Sequence, residues 1–125
     1  MALTIPEDEM DLCFELARPG YAALGLVNDL YSWTKEKKTA KDAGQDYVFN
    51  AIWVIMKESS VSEGEAVAIC REKIADEMSV FNRSLVNIAA SGLSKDTVAY
   101  LEAVRYSYIG NLVWSIYCPR YHDCM

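Results

Sequence analysis

A chain of 125 residues has room for one domain, or for part of a larger one. Hydrophobic residues make up 52% of it and charged residues 24%, a balance that supports a packed core and excludes a disordered tail. The net charge of −6 leaves no basic footprint for nucleic acid, and the longest apolar run, in "NAIWVIM" (50–56), is too short for a membrane span.

The N-terminus, "MALTIPEDEM", has neither the basic region nor the long apolar region of a secretory signal, which favours a cytoplasmic setting. "TIPEDEM" opens a helix: Thr4 and Glu7 have capping-box spacing, Pro6 sits in the first turn, and the acids suit the positive end of the helix dipole. This helix is predicted to run to about Ala17 and to stop at "RPG" (18–20). A second helix covers about 21–37, and "KKTAKDAGQD" (37–46) reads as a polar loop. "YVFNAIWVIMKES" (47–59) is a short helix, apolar on most sides and expected to be buried.

Ser62 with Glu65 forms another capping box and starts a long amphipathic helix that ends near "ASG" (90–92). Ser94 caps a last helix that Pro119 stops near Cys118. No segment alternates like a strand for long, so the predicted class is all-α, an antiparallel bundle of about five helices. The four cysteines, Cys13, Cys70, Cys118 and Cys124, include no CxxC pair and read as reduced thiols.

Two groups of residues carry chemistry. In "NDLYSWTKE" (28–36), Asn28, Ser32 and Glu36 recur every four residues, turning about 40° and rising about 6 Å per step. They therefore share a helix face, and each offers a hard oxygen of the kind that suits Mg²⁺. One carboxylate binds Mg²⁺ weakly alone, so a diphosphate has to supply further oxygens, and Lys35 could reach the same phosphates. By spacing alone, a solvated polar stripe is the simpler account. The second group is "WSIYCPRYH", in which Arg120 and Tyr121 could bind a phosphate and the Trp114 face could stabilise a cation. A core tryptophan beside a surface Arg-Tyr pair is the simpler account there.

Three other clusters have weaker claims. "EDEMD" (7–11) imitates an acidic metal motif yet lies where helices favour acids. Cys118, His122 and Cys124 have poor zinc spacing, and His122 has no nucleophile at a recognisable spacing for a hydrolytic triad.

Together the two groups resemble class I terpene synthases. "NDLYSWTKE" matches the family's Asn-Asp-x-x-Ser-x-x-x-Glu metal motif, with the frequent Lys before the Glu. "WSIYCPRY" matches its C-terminal Trp-x5-Arg-Tyr element, and the separation of 84 residues between Glu36 and Arg120 is similar to the family's. "PGYAALGLVNDLYSW" and "GNLVWSIYCPRYH" look like the cyclase domain of fungal bifunctional di- and sesterterpene synthases, such as the fusicoccadiene and ophiobolin F synthases.

The resemblance implies that Asn28, Ser32 and Glu36 hold one Mg²⁺ of a three-metal cluster on the diphosphate of a prenyl substrate. It implies that Asp29 orients the motif through a salt bridge, that Lys35, Arg120 and Tyr121 bind the diphosphate, and that Trp114 lines the carbocation cavity. It also implies a partial cyclase domain over 1–125, the C-terminal portion of the fold. The Asp-rich motif of the facing half, supplied in cis or in trans, is lacking, and Met1 reads like an internal methionine. The expectation is that these residues alone do not cyclise geranylgeranyl or geranylfarnesyl diphosphate. They would instead expose apolar walls that a partner or an oligomer covers. A helical protein acting through protein contacts is the alternative reading.

Overall fold

The break expected at Arg18-Pro19-Gly20 does not form. In the computed structural model, which describes residues 3–88 and 90–117, a single helix α1 (Met10–Asp42) runs through Pro19. It follows a 3₁₀ turn at Glu7–Glu9 and precedes α2 (Ala51–Ser59), α3 (Glu63–Ile88) and α4 (Lys95–Tyr117). Among the described residues four α-helices therefore stand where about five were predicted, and there is no strand.

A mid-helix proline removes one backbone bond and usually costs about 3 kcal/mol. Burial on both sides of it offsets that cost. Cys13, Ala17 and Ala23 are fully buried, and Gly20 lets the neighbouring helices come close. A Cβ on Gly20 would lie 2.6 Å from Val104 Cγ1 and 3.0 Å from Phe81 Cε2. Gly20→Ala improves helix propensity by about 1 kcal/mol, whereas overpacking a core costs about 1–3 kcal/mol. The expected net result is a loss of about 1 kcal/mol in urea denaturation, and unchanged stability would mean that Val104 swings aside.

α1 is also longer at its far end than the predicted stop near Lys37. Lys37 Nζ lies 2.6 Å from Glu63 Oε1, Trp33 Nε1 donates to the same oxygen at 2.9 Å, and Ala40 is buried. These contacts with the start of α3 keep 37–42 helical, where composition alone suggested a loop. The segment 47–59 is helical only from Ala51, as α2, and is less buried than expected. Ile52 and Ile55 enter the core, while Val54, Tyr47 and Phe49 are exposed, because the short segment packs through one side only.

Two of the predicted caps form. Ser62 Oγ accepts from Glu65 N and Ser94 Oγ accepts from Thr97 N, each at 3.2 Å. The Thr4 cap does not form: the first turn starts at Glu7 with Pro6 as its N-cap, and the Thr4 N–H donates instead to Asp96 Oδ2 at the start of α4, 3.0 Å away. Glu9, from the acidic cluster, reaches the same helix end. Its Oε1 accepts from Ser94 N at 3.0 Å and from Thr97 Oγ1 at 2.7 Å.

The Ser94 N–H, then the Thr97 hydroxyl, hold the Glu9 carboxyl below its ordinary value of 4.5. A lowered folded-state pKa gives stability that is present above the unfolded value and lost as pH falls through the folded one. Glu9→Gln should therefore denature earlier than the wild type in urea near pH 6, and the gap should narrow near pH 3. A gap independent of pH would show that the carboxylate charge is irrelevant there.

The core has two centres along α1. Cys13 and Ala17 pack with Phe81, Ile88, Leu101, Val104 and Tyr108. Val27 and Trp33 pack with Ile52, Ile55, Ala66, Cys70 and Ile74. The start of α1 thus meets the end of α3 and its end meets the start of α3, so these helices are antiparallel. α4 runs in the direction of α1, since Glu9 meets Ser94 and Gly20 meets Val104. Cys13 and Cys70 are buried free thiols. No helix among the described residues is long and apolar enough to cross a membrane.

Candidate functional site

The second half of α1 places the Asn28–Glu36 stripe in a cleft of about 450 Å³. Asn28, Asp29, Ser32, Lys35 and Glu36 line one wall, and Gln45, Tyr47, Val48 and Phe49 of the connection to α2 line the other. Helical spacing aligns the three oxygen-bearing side chains, and burial selects their environment. Ser32 is 9% exposed, and its hydroxyl donates to Glu36 Oε1 at 2.9 Å. Lys35 stands beside them and makes no ion pair among the described residues.

Asp29 is held in a different way from that expected. Among the described residues it makes no salt bridge. Its Oδ2 accepts from Ala51 N at 2.9 Å, at the positive N-terminus of α2. Burial pushes its carboxyl above the ordinary value, the Ala51 N–H opposes this, and the Glu36 charge adds to it. The carboxylate is therefore turned toward α2, and Glu36 is the acid joined to Ser32.

Asn50 was not singled out from the sequence. It is the N-cap of α2, and its Nδ2 lies 2.8 Å from Glu36 Oε2 and 2.8 Å from Asp29 O. Its Oδ1 accepts from Ile52 N at 2.9 Å. An asparagine just before the apolar run "AIWVIM" is a recognisable N-cap signal, but its tie to Glu36 crosses 14 residues and has no local signature.

Elsewhere, the hydroxyls of Tyr21 on α1 and Tyr100 on α4 are hydrogen-bonded to each other. Burial pushes the Tyr21 phenol up to about 12, with the Tyr100 bond acting in the same direction. Trp114 lies on α4, 53% exposed, and does not line the cleft of the α1 stripe. It is about 40° from Tyr100 around the α4 axis. Arg120 and Tyr121, with Cys118, His122 and Cys124, lie outside the described residues.

Among the described residues no three His, Cys, Asp or Glu side chains converge to hold a metal by themselves. "EDEMD" in particular forms no such group, since Glu9 is bound to the start of α4. The cleft offers an amide, a hydroxyl and one carboxylate on a single face beside an ammonium. This donor set fits a hard divalent cation that shares its shell with water and an anionic ligand, and it fits a soft metal poorly.

Comparison with known proteins agrees with that chemistry. Residues 1–79 match the family described as terpene synthase family 2, C-terminal metal binding. The chain is 50% identical over 123 residues to a bifunctional type I diterpene synthase of Aspergillus flavipes, covering 98% of this chain and 16% of that protein. It is 46% identical over 122 residues to a bifunctional sesterterpene synthase of Aspergillus aculeatus, covering 97% of this chain and 17% of that protein. It is 41% identical over 126 residues to the fusicoccadiene synthase of Phomopsis amygdali, covering 98% of this chain and 17% of that protein. The chain thus spans about one sixth of the length of these relatives. With its helices, its hard-oxygen stripe and a family match over more than half its length, the chain belongs to terpene synthase family 2.

Proposed function

We propose that this chain contributes one metal- and diphosphate-binding wall of a class I terpene cyclase acting on geranylgeranyl or geranylfarnesyl diphosphate. The observation that carries this reading is the convergence of Asn28, Ser32, Lys35 and Glu36 on one cleft. In it, Asn28, Ser32 and Glu36 hold one Mg²⁺, Lys35 contacts the diphosphate, and Asp29 orients the motif through α2. Arg120 and Tyr121 complete the diphosphate contacts, and Trp114 lines the hydrocarbon cavity. Mg²⁺, when bound, would neutralise charge on the diphosphate leaving group.

Asp29 is held by the Ala51 N–H, so the stripe offers one carboxylate, that of Glu36, and it binds the cation well only together with the diphosphate. Further carboxylates come from an Asp-rich helix elsewhere in the complete catalytic unit. These 125 residues alone are accordingly expected to bind without turning substrate over. Exposed Tyr106, Ile109, Val113 and Ile116 on α4 support a further helical layer as partner, and they equally suit a non-catalytic role through protein contacts.

Titration calorimetry with inorganic pyrophosphate separates the two. Heat that appears only with Mg²⁺ present is expected. The same heat without Mg²⁺, or none at all, would leave the protein-contact role as the better account.

A further inference from the structure

We propose that Asn50 is a positioning residue for Glu36, so that the amide capping α2 also sets the geometry of the candidate cation site. This inference rests on the metal-binding reading above and deepens it. Asn50 is 4% exposed, and every polar group it carries is bonded. Its two Nδ2 hydrogens go to Asp29 O and Glu36 Oε2, and its Oδ1 accepts from Ile52 N. Its backbone N–H donates to Val48 O at 2.9 Å, and its carbonyl accepts from Val54 N at 3.2 Å.

This pattern admits one orientation of the amide. A flipped amide would put Oδ1 against two acceptors and Nδ2 against the Ile52 N–H. The capping bond therefore dictates that the NH₂ group points at Glu36. Asn50 fixes Oε2 of that carboxylate while Ser32 fixes Oε1. A glutamate has rotamer freedom to lose before it can hold a cation, and two donors from separate elements remove that freedom in advance. Asp29 supports the same junction through Ala51 N. The chain between α1 and α2 is thus tied to the site at both its acidic residues.

The test uses the full chain, Mn²⁺ as the probe and inorganic pyrophosphate at fixed concentration, with water-proton relaxation reporting protein-bound Mn²⁺. Asn50→Ser retains a good N-cap but has no donor that reaches Glu36. It should weaken Mn²⁺ binding by about 10–100-fold, the range typical of residues that orient a ligand. Ser62→Ala removes the cap of α3, away from the cleft, and should leave Mn²⁺ binding unchanged. A measurement on the wild type alone covers the case in which Asn50→Ser does not fold. The Asn50 side-chain amide signals in a ¹H–¹⁵N spectrum should shift when Mg²⁺ and pyrophosphate are added.

Mn²⁺ binding that is lost in Glu36→Gln yet equal in wild type and Asn50→Ser overturns the positioning role and leaves the metal site standing. Equal losses in Asn50→Ser and Ser62→Ala, or amide signals that stay still as the wild type saturates, overturn it as well. A wild type that takes up no Mn²⁺ overturns the metal reading, and this inference with it.

Discussion

Phe81→Ala is expected to destabilise the fold by about 3–5 kcal/mol, the usual cost of emptying a fully buried aromatic site. Phe81 is 0% exposed and sits where α1, α3 and α4 meet. Its ring contacts Tyr108 edge-to-face at 5.9 Å and 89° and fills the space that a Cβ on Gly20 would need. Such an aromatic pair adds about 0.5–1.5 kcal/mol to what burial alone gives. The cavity could not collapse easily, because Tyr108 is tied to Asn82 at 2.9 Å. Total stabilities of small domains are about 5–15 kcal/mol, so this one change would consume much of the margin. Urea denaturation followed by circular dichroism should show a large fall in midpoint, with Phe81→Leu falling less. A fall below about 1 kcal/mol would mean that the junction repacks freely.

Glu36→Gln should leave the fold nearly unchanged yet reduce Mg²⁺-dependent pyrophosphate binding by more than about 100-fold, beyond the range for residues that only orient a ligand. The substitution preserves shape: the glutamine Oε1 can still accept from Asn50 Nδ2, while its NH₂ group donates to the Ser32 hydroxyl, which accepts as well as donates. It removes the one carboxylate of the Asn28, Ser32, Glu36 stripe, since Asp29 is held by the Ala51 N–H. Asp29 cannot replace it without releasing Ala51 N. Thermal melting without ligand should move by a few degrees at most, while the calorimetric heat disappears. Retained binding would show that the Asn28–Glu36 face is an ordinary solvated stripe.

The α-helical class and the caps at Ser62 and Ser94 were legible because they rest on periodicity and on bonds three residues apart. The Asn28, Ser32, Glu36 face was legible for the same reason, being set by one helix. What local pattern could not supply was tertiary compensation. Pro19 signals a stop, and only the burial of Ala17 and the contacts of Gly20 with Phe81 and Val104 cancel that signal. Thr4 and Glu9 bond to residues at the start of α4, more than 80 positions away. The Lys-rich stretch after Glu36 reads as a loop until Glu63 and the burial of Ala40 are taken into account. Asn50 announces a helix start, while its second bond, to Glu36, depends on how that helix docks.

An unbroken α1 also behaves as a graduated rod. Phe14, Tyr21 and Ser32 lie on it at fixed intervals, about 10 Å from Phe14 to Tyr21 and about 27 Å from Phe14 to Ser32. Backbone geometry sets those spacings, with no joint between two helices to adjust them. A molecule anchored at Ser32 and lying along α1 would meet each aromatic ring at a constant distance from its anchor. Any change that hinged the rod at Pro19 would rescale the whole gauge at once.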